Sequence, residues 1–141
     1  KTIKQVLDDK GHDVWTITPD ASVFDAIKLM ADKEVGALLV MEGGTPVGMI
    51  SERDYARKVI LQGRSSQKTS IRDIMSTRVV YTHPDKSIEQ CMAIMTEKRV
   101  RHLPVIDGQQ LVGMISIGDL VKAIIAEQQF IIEQLEHYIT G

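Results

Sequence analysis

The sequence predicts an α/β chain (α+β in its segregation of helices and strands) made from one β-α-β-β-α unit used twice. The first observation is a repeated phrase: Val47-Gly48-Met49-Ile50-Ser51 returns as Val112-Gly113-Met114-Ile115-Ser116, 65 residues later (112 − 47). The second is that this offset holds without a gap, from Pro19-Asp20-Ala21-Ser22 against Pro84-Asp85-Lys86-Ser87 through to Asp54 against Asp119. The third is periodicity. In each copy a helical stripe gives way to continuous apolar runs, the pattern of a helix followed by buried strands. The copies are residues 1–65, with an N-terminal helix, and residues 66–141, with a linker and a long final helix. Neither copy alone buries a comfortable fraction of its surface, so the two are expected to pack as a pseudo-twofold pair.

Residues 3–7 form a short amphipathic helix ending near Gly11, and Ile71-Arg72-Asp73-Ile74-Met75 echoes it. Residues 14–18 are a brief β segment stopped by Pro19. In the next helix, Ser22 with Asp25 is a weak capping box, whereas Ser87 with Gln90 is a complete one. Val23, Ala26, Ile27 and Met30 fall on one helical stripe, and Ile88, Cys91, Met92 and Met95 repeat it. Cys91 takes the place of Ala26 on that stripe, which makes it a packed core thiol rather than a nucleophile. Residues 37–41 and 103–106 are apolar throughout and read as strands buried on both faces. Glu42-Gly43-Gly44-Thr45 and Asp107-Gly108-Gln109-Gln110 are hairpin turns leading into strands over 47–50 and 111–115. Helices then run over about 52–61 and from 118 to the C-terminus, and residues 61–70 are a polar, Ser-rich linker. The last helix outruns its counterpart. Leu120, Ile124, Ile131 and Leu135 carry its apolar stripe onward, and a stripe unmatched in its own chain points to another subunit.

Composition narrows the function classes. The net charge of -2 gives no global field favouring nucleic acid or an anionic membrane. Arg53, Arg57, Lys58, Arg64 and Lys68 near the linker are the one motive for a nucleic-acid reading, and an aromatic content of 4% speaks against it. No apolar run reaches the roughly 18 residues of a membrane helix, and no signal-peptide pattern opens the chain. The single cysteine suits a reducing compartment, and the cytoplasm is the expected location. There is no Gly-x-x-x-x-Gly-Lys-Ser/Thr loop and no Gly-x-Gly-x-x-Gly. His12, His83, His102 and His137 lack ligand spacing. Neither an enzymatic activity, a catalytic cofactor nor a metal is expected.

Chemistry concentrates where each final strand meets its helix. Ser116-x-x-Asp119 reads first as a helix N-cap. A ligand fits the same residues, since amides at a helix start attract phosphate. An acceptor-only carboxylate can also take both hydrogen bonds of a ribose diol. Ser51 and Asp54 repeat the pattern. Arg101 and His102 open a buried strand, and a guanidinium fork with an imidazole donor suits phosphate. The competing reading is a solvated basic turn running on from Lys98 and Arg99. Their counterparts, Gly36 and Ala37, are uncharged. Arg53 is another phosphate candidate, and Ile117-Gly118 replaces Glu52-Arg53 in the second copy. The two junctions are therefore not equivalent, and the one at Asp119 is favoured. An apolar slot for a base draws on Val79, Val80, Thr82, Pro104 and Ile117, with Val14, Thr16 and Thr18 in the first copy. The alignment leaves open whether Thr16 or Thr18 matches Thr82. Trp15 reads as core or interface.

The unit order, the Val-Gly-Met-Ile-Ser-x-x-Asp closing of each copy and Arg101-His102-Leu103-Pro104-Val105 together resemble a tandem CBS-domain pair, or Bateman module. The resemblance covers essentially the whole chain. It implies a non-catalytic regulatory module that binds an adenine nucleotide in the cleft between the repeats. AMP is the first choice, with ATP, NAD(H) and S-adenosylmethionine as alternatives. It implies ribose-binding roles for Asp119 and Asp54, with Ser116 and Ser51 near the phosphate. It further implies a homodimer arranged as a disk of four repeats and a regulated protein client. The alternative is a ligand-independent interaction module acting through the C-terminal helix.

Overall fold

The computed structural model describes residues 1–140. Helix α1 spans Ile3–Lys10, and strand β1 is only Thr16–Ile17. Helix α2 (Val23–Lys33) precedes the hairpin β2 (Ala37–Glu42) and β3 (Thr45–Ser51). A four-residue helix α3 (Glu52–Tyr55) widens into a π-helical turn, Ala56–Ile60, where the Leu61 amide bonds to the Ala56 carbonyl. The single helix expected over 52–61 is thus two helical types in series. A 3-10 turn (Ile71–Asp73) leads to α4 (Ile88–Lys98), the hairpin β4 (His102–Asp107) and β5 (Gln110–Ser116), and α5 (Ile117–Thr140). The caps follow the sequence reading. Ser87 and Gln90 close a reciprocal box, while Ser22 accepts from the Asp25 amide without a return bond.

Two compact units result. The central unit is Val14–Val79, and the terminal unit joins Lys1–Asp13 to the chain from Val80 onward. In the central unit β1 lies parallel to β2, and β2 antiparallel to β3. In the terminal unit β4 and β5 pair antiparallel. Before Pro84, where the doubled unit order implies a first strand, there is only a parallel bridge from Thr82 to Val105. Both hairpins slip register at matching places, Val40/Met41 and Val105/Ile106. Gly43 (φ 58) and Gly44 (φ 79) provide the left-handed pair that a two-residue hairpin loop needs. Leu38, Val40 and Ile50 are fully buried, as are their counterparts Leu103, Val105 and Ile115.

The packed units divide the chain differently from the repeat halves 1–65 and 66–141. The two lead segments, residues 3–7 and 71–75, have exchanged places. Ile3, Val6 and Leu7 sit at i, i+3, i+4 and fill the terminal core beside Leu103 and Ile115. Ile71, Ile74 and Met75 hold the same spacing and fill the central core beside Leu38 and Ile50. The glycine of the repeated phrase is what admits each segment. A Cβ on Gly113 would lie 2.6 Å from a Leu7 methyl, and one on Gly48 would lie 2.7 Å from the Ser76 carbonyl oxygen. The Ser76 segment is also bonded both ways to Met49, at 2.9 Å each. Sequence neighbourhood does not decide which core a short amphipathic stripe enters; the complementary strand face does.

Helix α5 buries Leu120 and partly buries Ala123 and Ile124 against the terminal core. From Ile125 to Thr140 every residue is exposed, including Ile131 and Leu135 of the stripe. No helix among the described residues is long and apolar enough to cross a membrane.

Candidate functional site

The junction of β5 and α5 is closed by a reciprocal cap. The Ser116 amide donates to Asp119 Oδ2 at 2.8 Å, and the Asp119 amide donates to Ser116 Oγ at 3.1 Å. The N-cap reading of these residues is therefore correct as far as it goes. The Ile117 amide is taken by the Arg101 carbonyl at 2.9 Å, so two amides of the first turn are already committed.

Lys10, the last residue of α1, reaches this junction. Its ammonium donates to Asp119 Oδ2 at 2.6 Å and also to the Met114 carbonyl. The Lys10 and Ser116 bonds both fall on Oδ2, leaving Oδ1 with neither. Burial pushes the Asp119 carboxyl up, but the Lys10 ammonium and the Ser116 bonds outweigh it, and the group titrates below its ordinary range. Nothing in the sequence singled out Lys10, because a lysine ending a helix already suits the macrodipole.

His102 is the register partner of Ser116 across the β4–β5 hairpin. It is largely buried, and burial first, then the Lys10 and Arg101 charges, bring its imidazole down to about 4 against the pull of Asp119. It is neutral at pH 7, so it can offer a phosphate a hydrogen bond but no charge. The Arg101 side chain is exposed. Pro104 is buried and Val80 half-buried, while Ile117 is exposed at the start of α5. Thr82 is buried with its hydroxyl 3.1 Å from the Cys91 sulfur, facing the core. Cys91 is fully buried and burial raises its thiol, as a packed core thiol requires.

The matching junction in the central unit is tied more tightly to itself. Asp54 Oδ2 accepts from both the amide and the hydroxyl of Ser51, at 3.0 and 3.1 Å. Lys58 lies 3.4 Å from Asp54 Oδ1 and donates to the Ile74 carbonyl at 2.9 Å. Arg53 is half-buried in α3, and Thr16 and Thr18 are exposed. Val14 and Val79 bound this unit, both half-buried. Trp15 packs against the central core with the Lys33 ammonium 4.4 Å from its ring centre, so it is occupied as a structural residue.

Fold and junctions define a tandem α/β module in which one strand-to-helix cap is made twice on a duplicated scaffold. The model of the CBS domain family matches residues 4–60 and 71–126, and the chain belongs to that family. Paired CBS domains are regulatory modules. The mitochondrial CBS domain-containing protein CBSX3 of Arabidopsis thaliana is 40% identical, over 99% of this chain and 72% of its own. A solved CBS-domain protein from Burkholderia ambifaria MC40-6 is 53% identical with a TM-score of 0.87, covering 91% of this chain and 96% of that one. The CBS domain pair of MJ0100, solved with 5′-methylthioadenosine and S-adenosyl-L-methionine, shares the fold at 22% identity and a TM-score of 0.79, over 90% of this chain and 98% of its own.

Proposed function

We propose that this protein is a non-catalytic sensor of an adenine nucleotide, AMP in the first place, bound at the β5–α5 junction with Asp119 accepting from the ribose hydroxyls. One observation carries the reading: a half-buried, ionised carboxylate with an oxygen outside its own cap, flanked by His102 and the exposed Arg101. Asp54 is the weaker candidate because Ser51 and Lys58 engage both of its oxygens. An adenosyl ligand class also agrees with the compounds bound by the CBS pair of MJ0100. Ile117 and the half-buried Val80 offer apolar surface for the base, whereas Pro104 is buried and offers none. A lone buried thiol stays reduced in the cytoplasm, where the reading places the protein.

A thermal-shift panel of AMP, ADP, ATP, NAD(H) and S-adenosylmethionine tests this. A ligand at 100 times its Kd should add about 2.7 kcal/mol of stability. Asp119→Ala should remove the response. A wild-type protein indifferent to every compound at millimolar concentration refutes the reading.

The exposed end of α5 is the natural contact for a second copy of the chain. It lies beyond the family match, which stops at residue 126, and it exposes Phe130, Ile131, Ile132 and Leu135. Truncation after Ala126 spares every core residue of α5. It should abolish self-association in analytical ultracentrifugation and leave the nucleotide response intact; an unchanged sedimentation profile places the contact elsewhere.

A further inference from the structure

Lys10 sits on the carboxylate proposed to hold the sugar. Its ammonium is 2.6 Å from Asp119 Oδ2, with the lysine side chain 34% and the aspartate side chain 22% exposed. The element behind it is fixed. Ile3, Val6 and Leu7 anchor α1 in the terminal core, and the ring of His12, just beyond the helix, is bonded to the Val112 carbonyl at 2.8 Å. The central unit repeats the arrangement with a lysine from a different place in the chain, since Lys58 pairs with Asp54 and also donates to a backbone carbonyl, that of Ile74. The lead segment does not supply this second cation; the turn after α3 does. Two non-equivalent lysines placed over two equivalent aspartates argue that the cation has a task at this junction.

We infer that Lys10 makes the Asp119 junction select phosphorylated ligands over neutral nucleosides, an inference that rests on the nucleotide reading above. A ribose diol that donates one hydroxyl to the open Oδ1 and the other to Oδ2 of Asp119 competes with Lys10 at Oδ2. A neutral nucleoside that loosens the pair leaves a part-buried ammonium short of its counter-ion, which is unfavourable. A nucleotide brings the replacement, because its phosphate takes up the ammonium as the sugar takes the carboxylate. The neutral His102 cannot substitute for this charge, and the Arg101 side chain is exposed. The ligand class that follows is an adenosine carrying an anionic 5′ group.

Calorimetric titration of AMP and of adenosine into the whole protein decides the matter. Wild type should bind AMP the more tightly. Lys10→Met, which keeps the aliphatic stem, should shrink the AMP-to-adenosine affinity ratio by about tenfold or more, and Lys10→Arg should restore most of it. Lys10→Gln serves as a second neutral variant where the methionine form does not fold. A neutral variant that retains the wild-type ratio, in a protein whose AMP binding is still lost in Asp119→Ala, overturns the inference and leaves the nucleotide reading standing. Wild type that binds neither compound at millimolar concentration overturns both.

Discussion

Replacing Leu7 with alanine should destabilise the terminal unit by about 2 to 5 kcal/mol, the range for emptying a fully packed leucine site. Leu7 is 1% exposed and its methyls lie against Gly113 on β5. No side chain on that glycine can close the gap, so relaxation around the cavity is restricted. Hydrogen exchange locates the effect. The largest loss of amide protection should fall on residues 102–116, a hundred positions away in sequence, and not on residues 37–51 of the repeat to which Leu7 belongs by sequence. Ile71→Ala should do the reverse. Ile71 is fully buried in the central core, and Arg72 next to it is tied to Asp20 and Glu42 on the same unit. Its loss should open β2 and β3 first. If Leu7→Ala loosened β2 and β3 instead, the exchange of lead segments would be wrong.

That exchange marks the limit of what the sequence alone specifies. Hairpins, helix stripes and the stronger capping box are local, and each is written in a few adjacent residues. Ser87 and Gln90 close their box because both partners stand within one turn. The echo of residues 3–7 in 71–75 was also visible. The core each segment enters was not, because an i, i+3, i+4 stripe specifies that a face is buried and says nothing of where. The cue lay in the repeated phrase, where a glycine stands in the middle of a strand, a position that usually marks close approach by another part of the chain. The candidate site divides in the same way between local and long-range features. Ser116 and Asp119 meet as their spacing requires, since a cap is local. Lys10 arrives through the exchanged segment and had no local signature. The sequence offers Thr82 for a base slot, but alternation along a segment this short leaves its face undetermined, and its hydroxyl turns inward to Cys91.

The buried imidazole of His102 should make stability fall as pH falls from about 6.5 to about 4. In the folded chain burial holds this group at about 4, with Lys10 and Arg101 adding to the effect and Asp119 opposing it. The unfolded chain takes up the proton near the ordinary 6.5. Between these values the unfolded state binds more protons, so acid favours unfolding, and above about 6.5 the contribution is constant. A gap of this size corresponds to about 3 kcal/mol at most. Unfolding free energies from urea titrations at pH 7 and pH 4.5 should therefore differ by about 2 to 3 kcal/mol more in wild type than in His102→Gln. Asp119 acts in a lower window. Its carboxyl is depressed in the folded state, so its contribution is complete above the ordinary carboxylate value and lost only as pH drops through the folded one. The variant comparison at pH 4.5 thus isolates the imidazole. Equal pH dependence in wild type and variant would mean that His102 takes up its proton as readily in the folded protein as in the unfolded one. Below about 6.5 it would then join Arg101 as a second positive charge at the junction, and the selectivity assigned to Lys10 would have to be shared with it there.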